Sequence, residues 1–232
     1  MRTVLLANNA LGMRVARFLE GRGELAGVVV HPVERRRAVE PEALAGVPCW
    51  VWPDGVEQVA AIGPECLLSV LFGFRLPAAW LAVASWRALN LHPGLLPYNA
   101  GANPNVWPIV DGTPAGTTLH VMTSAVDAGP VLAQREVPVL GADTAATLYD
   151  RLMTASFDLF TQVWPGVERL VPVDQAPGGT FHRVAELSTL DPTPDDFGLI
   201  DRLRARTFPP FGAEFERDGQ RYSIRVEVEP LP

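Results

Sequence analysis

Apolar runs and helical repeats alternate along the part of the chain that ends at His92. Runs of neighbouring apolar residues predict strands buried on both faces, and apolar residues spaced three or four apart predict helices. The predicted strands are Thr3–Ala7, Leu25–His31, Val47–Val51, Cys66–Leu71 and Ala88–His92, and the predicted helices between them are Leu11–Leu19, Val56–Ile62 and Leu76–Ala84. This order predicts an α/β fold with a Rossmann-like, open and mostly parallel sheet, which binds ligands at the carboxyl ends of its strands.

The pattern changes after His92. Pro, Gly and Asn are frequent in residues 93–106, which predicts a long structured loop. Beyond it the predicted elements are a helix that starts near Val106, the strands Thr117–Met122 and Val131–Val139 around a turn at Asp127, and the helix Thr144–Val163. We expect these elements to complete one large domain over residues 1–170.

Residues 171–232 form a second, less periodic region that is rich in Pro and Gly. It contains one further predicted helix, Phe197–Arg206, and a predicted hairpin in which Asp218-Gly219 joins two alternating segments, Ala213–Arg217 and Arg221–Val228. A small C-terminal α+β subdomain is therefore predicted here. Its exposed hairpin and its phenylalanines predict a homodimer surface, the residues concerned being Phe208, Phe211 and Phe215.

Charge and hydropathy narrow the possible partners. The 232 residues include 19 basic and 26 acidic side chains, a formal net charge of −7. Nucleic-acid-binding proteins concentrate Lys and Arg to displace counterions from phosphates, so a polynucleotide partner is not expected. The first apolar run stops at Asn8, too short for a secretion signal, and no segment approaches the roughly 18 apolar residues of a membrane span. We expect a cytoplasmic protein that contacts no membrane.

Two common kinds of site are not expected. The first βα turn, Asn8 to Gly12, lacks the glycine triplet that admits a dinucleotide pyrophosphate. The four histidines lack the spacing of a zinc site, so no metal is expected. His31, beside Pro32, is predicted to lie at the surface. His120 alternates with apolar residues and is predicted to be a core histidine without a catalytic role.

Asn90 and His92 stand two residues apart at the end of a predicted strand, so their side chains project from the same face. Pro93 holds His92 in the extended region. An amide donor beside an imidazole can stabilise a developing oxyanion. Taken alone, the pair fits better a structural role in which both side chains satisfy backbone groups of the following loop.

A longer string of residues carries more information. Residues 89–107 read LNLHPGLLPYNAGANPNVW, Gly116 to His120 follow, and Val126-Asp127-Ala128-Gly129-Pro130 forms an Asp-x-Gly turn. This string resembles the catalytic core of the formyltransferases that use N10-formyltetrahydrofolate, over roughly residues 1–165. Within that family, residues 97–107, Gly179 to Arg183 and Thr207 to Phe211 are most similar to the sugar N-formyltransferases.

The resemblance implies roles for particular residues. Asn90 and His92 would stabilise the oxyanion, while Asp127 would tune His92 and relay a proton through water. An opposite charge nearby stabilises the ionised form, so we expect His92 to be charged. Backbone and side chains of two segments would hold the pterin of the cosubstrate, namely Phe72, Gly73, Phe74, Arg75, Leu76, Ser124 and Val126. The residues expected to contact the acceptor are Tyr98, Asn99, Asn103, Trp107, His182 and Arg183.

The activity implied is transfer of a formyl group from N10-formyltetrahydrofolate to the amine of a nucleotide-linked amino sugar of the dTDP-4-amino-4,6-dideoxyhexose type. Ala100 departs from the pattern, because relatives usually carry Arg or Lys there, and it leaves open how an anionic acceptor is anchored. Two alternatives remain at this point. The acceptor could be another small amine, such as a ribonucleotide or an amino acid, or the chain could be a catalytically silent module that binds folate or nucleotide.

Overall fold

The computed structural model describes residues 1–37, 44, 46–191 and 193–229. One sheet dominates it, with the strand order β3-β2-β1-β4-β5-β7-β8. Its strands are β1 (Thr3–Ala7), β2 (Leu25–Val30), β3 (Cys49–Val51), β4 (Cys66–Val70), β5 (Arg87–His92), β7 (Gly116–Val121) and β8 (Val131–Glu136). The first five strands pair in parallel, whereas β7 and β8 join antiparallel. The predicted fold class is confirmed, and β5 stands where the parallel part of the sheet meets the antiparallel part.

In the described part of the chain, six α-helices accompany the strands. Their bounds are α1 (Ala10–Gly21), α2 (Val56–Ile62), α3 (Ala78–Leu81), α4 (Trp107–Asp111), α5 (Ala145–Val163) and α6 (Phe197–Arg206). The side chain of Asn9 accepts a hydrogen bond from Gly12 N and so caps α1, while Thr144 and Thr147 form a capping box at the start of α5. These caps satisfy backbone N–H groups that the first helical turn leaves without partners.

The core has two layers, one on each face of the sheet. Side chains of β1 alternate between them, as the period of a strand requires. Leu5 packs with α1 and α5, whereas Val4 and Leu6 pack on the opposite face with Val59 of α2 and Trp80 of α3. Burial on both faces explains why the parallel strands are continuous apolar runs in the sequence.

Several predicted elements are shorter in the structure. The second hairpin strand was predicted to reach Val228 and ends at Ile224. At two other elements a proline marks one boundary. The helix predicted over Leu76–Ala84 covers only Ala78–Leu81, and it begins after Pro77, which stands at its N-cap and has no N–H to continue a helix. The strand predicted over Val131–Val139 ends at Glu136. Pro138 lies just beyond this end and cannot donate to a strand ladder.

The C-terminal region extends from the sheet. Residues 173–182 run back along the loop that follows β5, where β9 (Phe181–His182) pairs in parallel with β6 (Ala100–Gly101). The predicted hairpin is present as β10 (Ala213–Arg217) and β11 (Gln220–Ile224). The sequence contained no periodic signal for β6 and β9, because each strand has only two residues.

Candidate active site

The end of β5 carries the amide and the imidazole. Asn90 lies opposite His120 of β7, and His92 lies opposite Thr118. The side chain of His92 is almost fully buried, and its Nε2 lies 2.9 Å from the carbonyl oxygen of Asn99, to which it donates. The other ring nitrogen, Nδ1, is therefore free to exchange a proton with a group in the site.

Asp127 reaches the same place from the turn between β7 and β8. Its backbone has a φ of 50°, a conformation uncommon for residues other than glycine. Its Oδ2 accepts a hydrogen bond from Gly101 N at 2.9 Å and lies 3.6 Å from His92 Nδ1, while its Oδ1 lies 3.2 Å from Asn90 Nδ2. The structure thus brings Asn90, His92 and Asp127 together, as the resemblance implied.

The protonation states follow from these contacts. Burial opposes ionisation of Asp127, but the neighbouring imidazoles of His92 and His120 and the N–H of Gly101 outweigh it and hold the pKa of the carboxyl group well below its ordinary value. Burial lowers the pKa of His92 and outweighs the opposite effect of Asp127. This lowered pKa favours a neutral imidazole beside the ionised carboxylate, whereas the sequence analysis expected a charged one.

His120 is a further member of this cluster that the sequence analysis assigned to the core. It is buried, as predicted, but its Nε2 lies 3.2 Å from Asn90 Nδ2 and 3.5 Å from Asp127 Oδ1. Its Nδ1 lies 3.0 Å from the carbonyl oxygen of Val121 and so carries the proton, which leaves Nε2 as an acceptor. The register of β7 against β5 was the missing information, since it places His120 directly opposite Asn90.

These side chains line one end of a cavity of about 450 Å³. Two further segments line the cavity, Leu71–Leu76 and residues 122–126. The guanidinium of Arg75 connects these two segments, because it donates a hydrogen bond to Ser124 O at 2.8 Å. All seven residues predicted to hold the pterin line this cavity: Phe72, Gly73, Phe74, Arg75, Leu76, Ser124 and Val126. The predicted pterin-holding residues and the catalytic candidates therefore share one space.

An aromatic cluster supports the wall that begins at Leu71. Trp52 stacks on Phe74 with ring centroids 5.5 Å apart and contacts Phe72 edge to face. His31 packs between Phe72 and Phe74, and its Nε2 contacts the carbonyl oxygen of Phe72. The prediction that His31 lies at the surface is wrong: its side chain is buried because it fastens this wall to the end of β2.

The predicted acceptor-binding residues lie at different depths. Asn103 lines the cavity, has a φ of 54°, and its Nδ2 is a buried donor without a hydrogen-bond partner. Trp107 is buried and stacks on His182 with ring centroids 4.1 Å apart, and the His182 ring lies between Asp111 and Glu186. These two residues form the support behind the cavity.

The remaining acceptor candidates lie outside the cavity lining. Tyr98 is half-buried, Arg183 is exposed, and the side chain of Asn99 is fully buried, where it bonds Pro114 O and Thr113 Oγ1. Contacts of all six candidates with an acceptor stay predictions. Among the described residues, no group of three or more His, Cys, Asp and Glu side chains is placed to hold a metal ion. Within the same residues, no helix is both long enough and apolar enough to cross a membrane.

Comparison with known proteins places this site in a class. The sequence matches the Formyl transferase family over residues 52–164 and the N-formyltransferase dimerization C-terminal domain over residues 198–230. It is 31% identical over 242 residues to a dTDP-4-amino-4,6-dideoxyglucose formyltransferase of Mycobacterium bovis (strain ATCC BAA-935 / AF2122/97), covering 99% of this chain and 97% of the relative. The chain belongs to the formyltransferase family, and the resemblance that the sequence indicated is confirmed.

Two further comparisons separate the subfamilies. A methionyl-tRNA formyltransferase of Geobacillus sp. (strain WCH70) is 36% identical, but over 122 residues that cover 51% of this chain and 38% of that enzyme. The X-ray structure of a sugar N-formyltransferase from Shewanella sp. FDAARGOS_354 covers 100% of this chain and 99% of that one, with a TM-score of 0.71 and 22% identity, which shows a shared fold. Similarity over the full length is thus to the sugar N-formyltransferases.

Proposed function

We propose that this enzyme transfers the formyl group of N10-formyltetrahydrofolate to the amine of a nucleotide-linked amino sugar. The observation that carries the proposal is the convergence of Asn90, His92 and Asp127 on the end of a cavity whose walls suit a flat, partly polar ring. The full-length similarity to a dTDP-4-amino-4,6-dideoxyglucose formyltransferase supports the sugar acceptor.

The residues present fit a folate cosubstrate. Phe72 and Phe74 supply apolar surface to the wall, while the backbone of Gly73, with a φ of 78°, takes a conformation open to glycine but strained for other residues. The facing segment, closed by the contact of Arg75 with Ser124, would hold the other side of a pterin. Bound there, the cosubstrate would supply an activated formyl carbon to the end of β5.

The reaction forms an amide C–N bond and breaks the bond between the formyl carbon and N10. One proton must leave the amine and one must reach N10. Nδ1 of neutral His92 can perform both transfers, because its other ring nitrogen is occupied by Asn99 O. Asp127 Oδ2, 3.6 Å away, stabilises the imidazolium between the two steps. This mechanism replaces a permanently charged His92 with one that is charged only during turnover.

Asn90 is the proposed donor to the formyl oxygen. Its Nδ2 contacts Asp127 Oδ1 and His120 Nε2, each at 3.2 Å, which is the long limit for a hydrogen bond. These contacts orient the amide, and an N–H directed at His120 can shift to the developing negative charge at low cost. A donor fixed in this way typically contributes about 10²–10³ in rate.

The acceptor is proposed to lie against Asn103, whose buried amide donor has no partner in the protein. Ala100 removes the basic side chain that relatives carry at this position, and its place in β6 is buried. Exposed Arg183, immediately after β9, is the proposed cation for a diphosphate. Tyr98, Trp107 and His182 are proposed to shape the loop that carries Asn103.

We also propose that residues 1–170 form the catalytic region and residues 171–232 a smaller region. The enzyme is proposed to be a homodimer in the cytoplasm, with the dimer contact in the smaller region. The match to a dimerization domain over residues 198–230 supports the dimer. Large apolar side chains in this region face solvent in the monomer: Phe208 is 73% and Phe211 65% exposed. Sedimentation at micromolar concentration should give the mass of two chains, and a single-chain mass would contradict the dimer.

A mass-shift screen tests the proposed reaction. The enzyme and N10-formyltetrahydrofolate are incubated with nucleotide-linked amino sugars, with glycinamide ribonucleotide and with free amino acids. Gain of one CO by an amino sugar, absent with His92→Ala, is the expected result. Gain of CO by another amine alone would change the acceptor class. Tight binding of folate without transfer to any amine would indicate a silent binding module.

A further inference from the structure

The turn that carries Asp127 is in a conformation that its own residues do not favour. A φ of 50° at a non-glycine residue costs on the order of 1 kcal/mol or more and persists only when neighbouring structure holds it. Gly129, two residues on, is tightly enclosed: a Cβ atom there would lie 1.8 Å from Val121 O. The position of the carboxylate therefore depends on contacts from outside the turn.

Gln175 provides such a contact. Its Nε2 lies 2.7 Å from the carbonyl oxygen of Asp127 and 2.8 Å from that of Gly129. A primary amide has two N–H groups, and here both are given to the two carbonyls of one turn. Gln175 lies outside the region that matches the Formyl transferase family, residues 52–164, and makes no described hydrogen bond to Asn90, His92 or the carboxylate itself.

The segment around Gln175 is itself well anchored. Val173 N donates to Val131 O at 2.8 Å, and Val131 N donates to Val173 O at 2.7 Å, so residue 173 is fixed against the start of β8. Further along, Thr180 O accepts from Ala100 N at 3.0 Å, which holds β6 in place. Gly101 of β6 in turn donates to Asp127 Oδ2. One segment, residues 173–182, thus supports the backbone of Asp127 and the strand that binds its carboxylate.

We propose that Gln175 is a positioning residue for catalysis, which fixes the Asp127 turn so that the carboxylate faces His92. This inference rests on the proposed function for the reaction. Loss of the two hydrogen bonds would let the turn relax toward ordinary φ values and move the carboxylate away from the imidazole. A displacement of about 1 Å in an active site can lower the rate about 10²-fold.

The main test is Gln175→Leu, which keeps the size of the side chain and removes both donors. We expect kcat to fall about 10²-fold, with KM for both substrates within about threefold of wild type, because Gln175 does not line the cavity. Gln162→Leu is the control, since Gln162 is exposed on α5 and contacts Arg135. Its kcat should equal that of wild type.

The pH profile distinguishes positioning from simple loss of structure. Burial lowers the pKa of His92. Of the groups that face it, Asp127 and Asn99 O raise this pKa and His120 lowers it. When the carboxylate moves away, the pKa of His92 falls further. The acidic limb of the kcat profile, where His92 becomes protonated, should therefore move to lower pH in Gln175→Leu. A fall in kcat without this movement would overturn the proposal.

Hydrogen exchange supplies a measurement that does not depend on turnover. Amides of residues 121–131 should exchange faster in Gln175→Leu than in wild type, while those of β1 and β4 stay unchanged. If the wild-type protein transfers no formyl group but Gln175→Leu exchanges faster, the proposed function is refuted, while the role of Gln175 in fixing the turn stands. Unchanged exchange with normal turnover would refute the positioning role alone.

A second variant, Gln175→Glu, covers the case in which Gln175→Leu does not fold. It keeps the shape of the side chain but directs a carboxylate at two carbonyl oxygens, so kcat should fall at least as far. If circular dichroism shows that neither variant folds, Gln175 has a purely structural role and the proposal is overturned. Wild-type kcat in either folded variant would do the same.

Discussion

The two halves of the active site are held in place in different ways. Asn90 and His92 lie on β5, which is paired along its length with β4 on one side and β7 on the other. Asp127 lies on a turn with positive φ, and its partners come from Gly101 and Gln175, which are distant in sequence. The strand half is fixed by the regular ladder of the sheet, whereas the turn half depends on a few individual hydrogen bonds.

This difference has a consequence for tolerance to change. Ladder hydrogen bonds do not depend on side-chain identity, so conservative substitutions along β5 leave the backbone of the strand half in place. A single side chain such as Gln175 carries much of the support of the turn half. Substitutions that perturb the turn half should therefore change the position of the Asp127 carboxylate. Substitutions in the strand half should instead remove a reacting group while the backbone stays in place.

The largest effect is expected from removing the chemical groups themselves. His92→Ala removes the proposed proton carrier, and Asp127→Asn removes the charge that stabilises it during turnover. General acid–base groups contribute about 10²–10⁴ in rate, and we expect kcat to fall in that range for each variant. Turnover is measured with the acceptor found in the mass-shift screen. Circular dichroism should show an unchanged fold.

Activity within tenfold of wild type in either variant would refute the assignment of these residues. The double variant sharpens the comparison of the two halves. Because His92 and Asp127 act as one unit, the double loss should hardly exceed the larger single loss. Additive losses would indicate two independent roles.

His120→Leu is expected to have the next largest effect, because His120 joins the two halves. It removes the acceptor of Asn90 and a neighbour of the Asp127 carboxylate. Leaving a buried donor such as the Asn90 amide without this partner costs about 1–3 kcal/mol, which corresponds to a loss of about 5-fold to 10²-fold in kcat. Steady-state kinetics at saturating cosubstrate would measure it. Wild-type kcat in a folded His120→Leu protein would show that His120 is a core residue only.

The sequence predicted the strand half well because its signals are local. An apolar run fixes β5, the spacing of two places Asn90 and His92 on one face, and Pro93 marks the end of the strand. The seven residues predicted for the pterin also lie along two short segments that line one cavity. Helix α6 and the hairpin turn were located for the same reason, since their periodicity and the Asp-Gly pair lie within a few residues.

The turn half could not be predicted in the same way, because its determinants are pairings between distant segments. Nothing near Asp127 indicates that Gln175 and Gly101 will contact it. The catalytic environment of His120 depends on the register of β7 against β5, which no local pattern specifies. The burial that lowers the pKa of His92 also depends on distant segments, so the sequence analysis considered the charge of Asp127 without the cost of burial.

Acid should also weaken the turn half, at lower pH than it protonates His92 of the strand half. The pKa of Asp127 is held below the unfolded value of about 3.9, so the ionised group stabilises the fold above that pH and this contribution is lost as the pH falls toward the folded value. The difference in melting temperature between wild type and Asp127→Asn should therefore shrink between about pH 5 and pH 3. A difference that stays constant over this range would show that the ionised carboxylate adds nothing to stability.

The smallest effect is expected at the wall opposite the catalytic residues. Arg75 is exposed, and its guanidinium donates to Ser124 O, which joins the two segments proposed to hold the pterin. Arg75→Gln removes this link without touching either half of the catalytic site. A single hydrogen bond contributes about 0.5–1.5 kcal/mol, so KM for the cosubstrate should rise about threefold to tenfold while kcat stays unchanged. A fall in kcat with unchanged KM would instead mean that the wall transmits its position to the turn of Asp127.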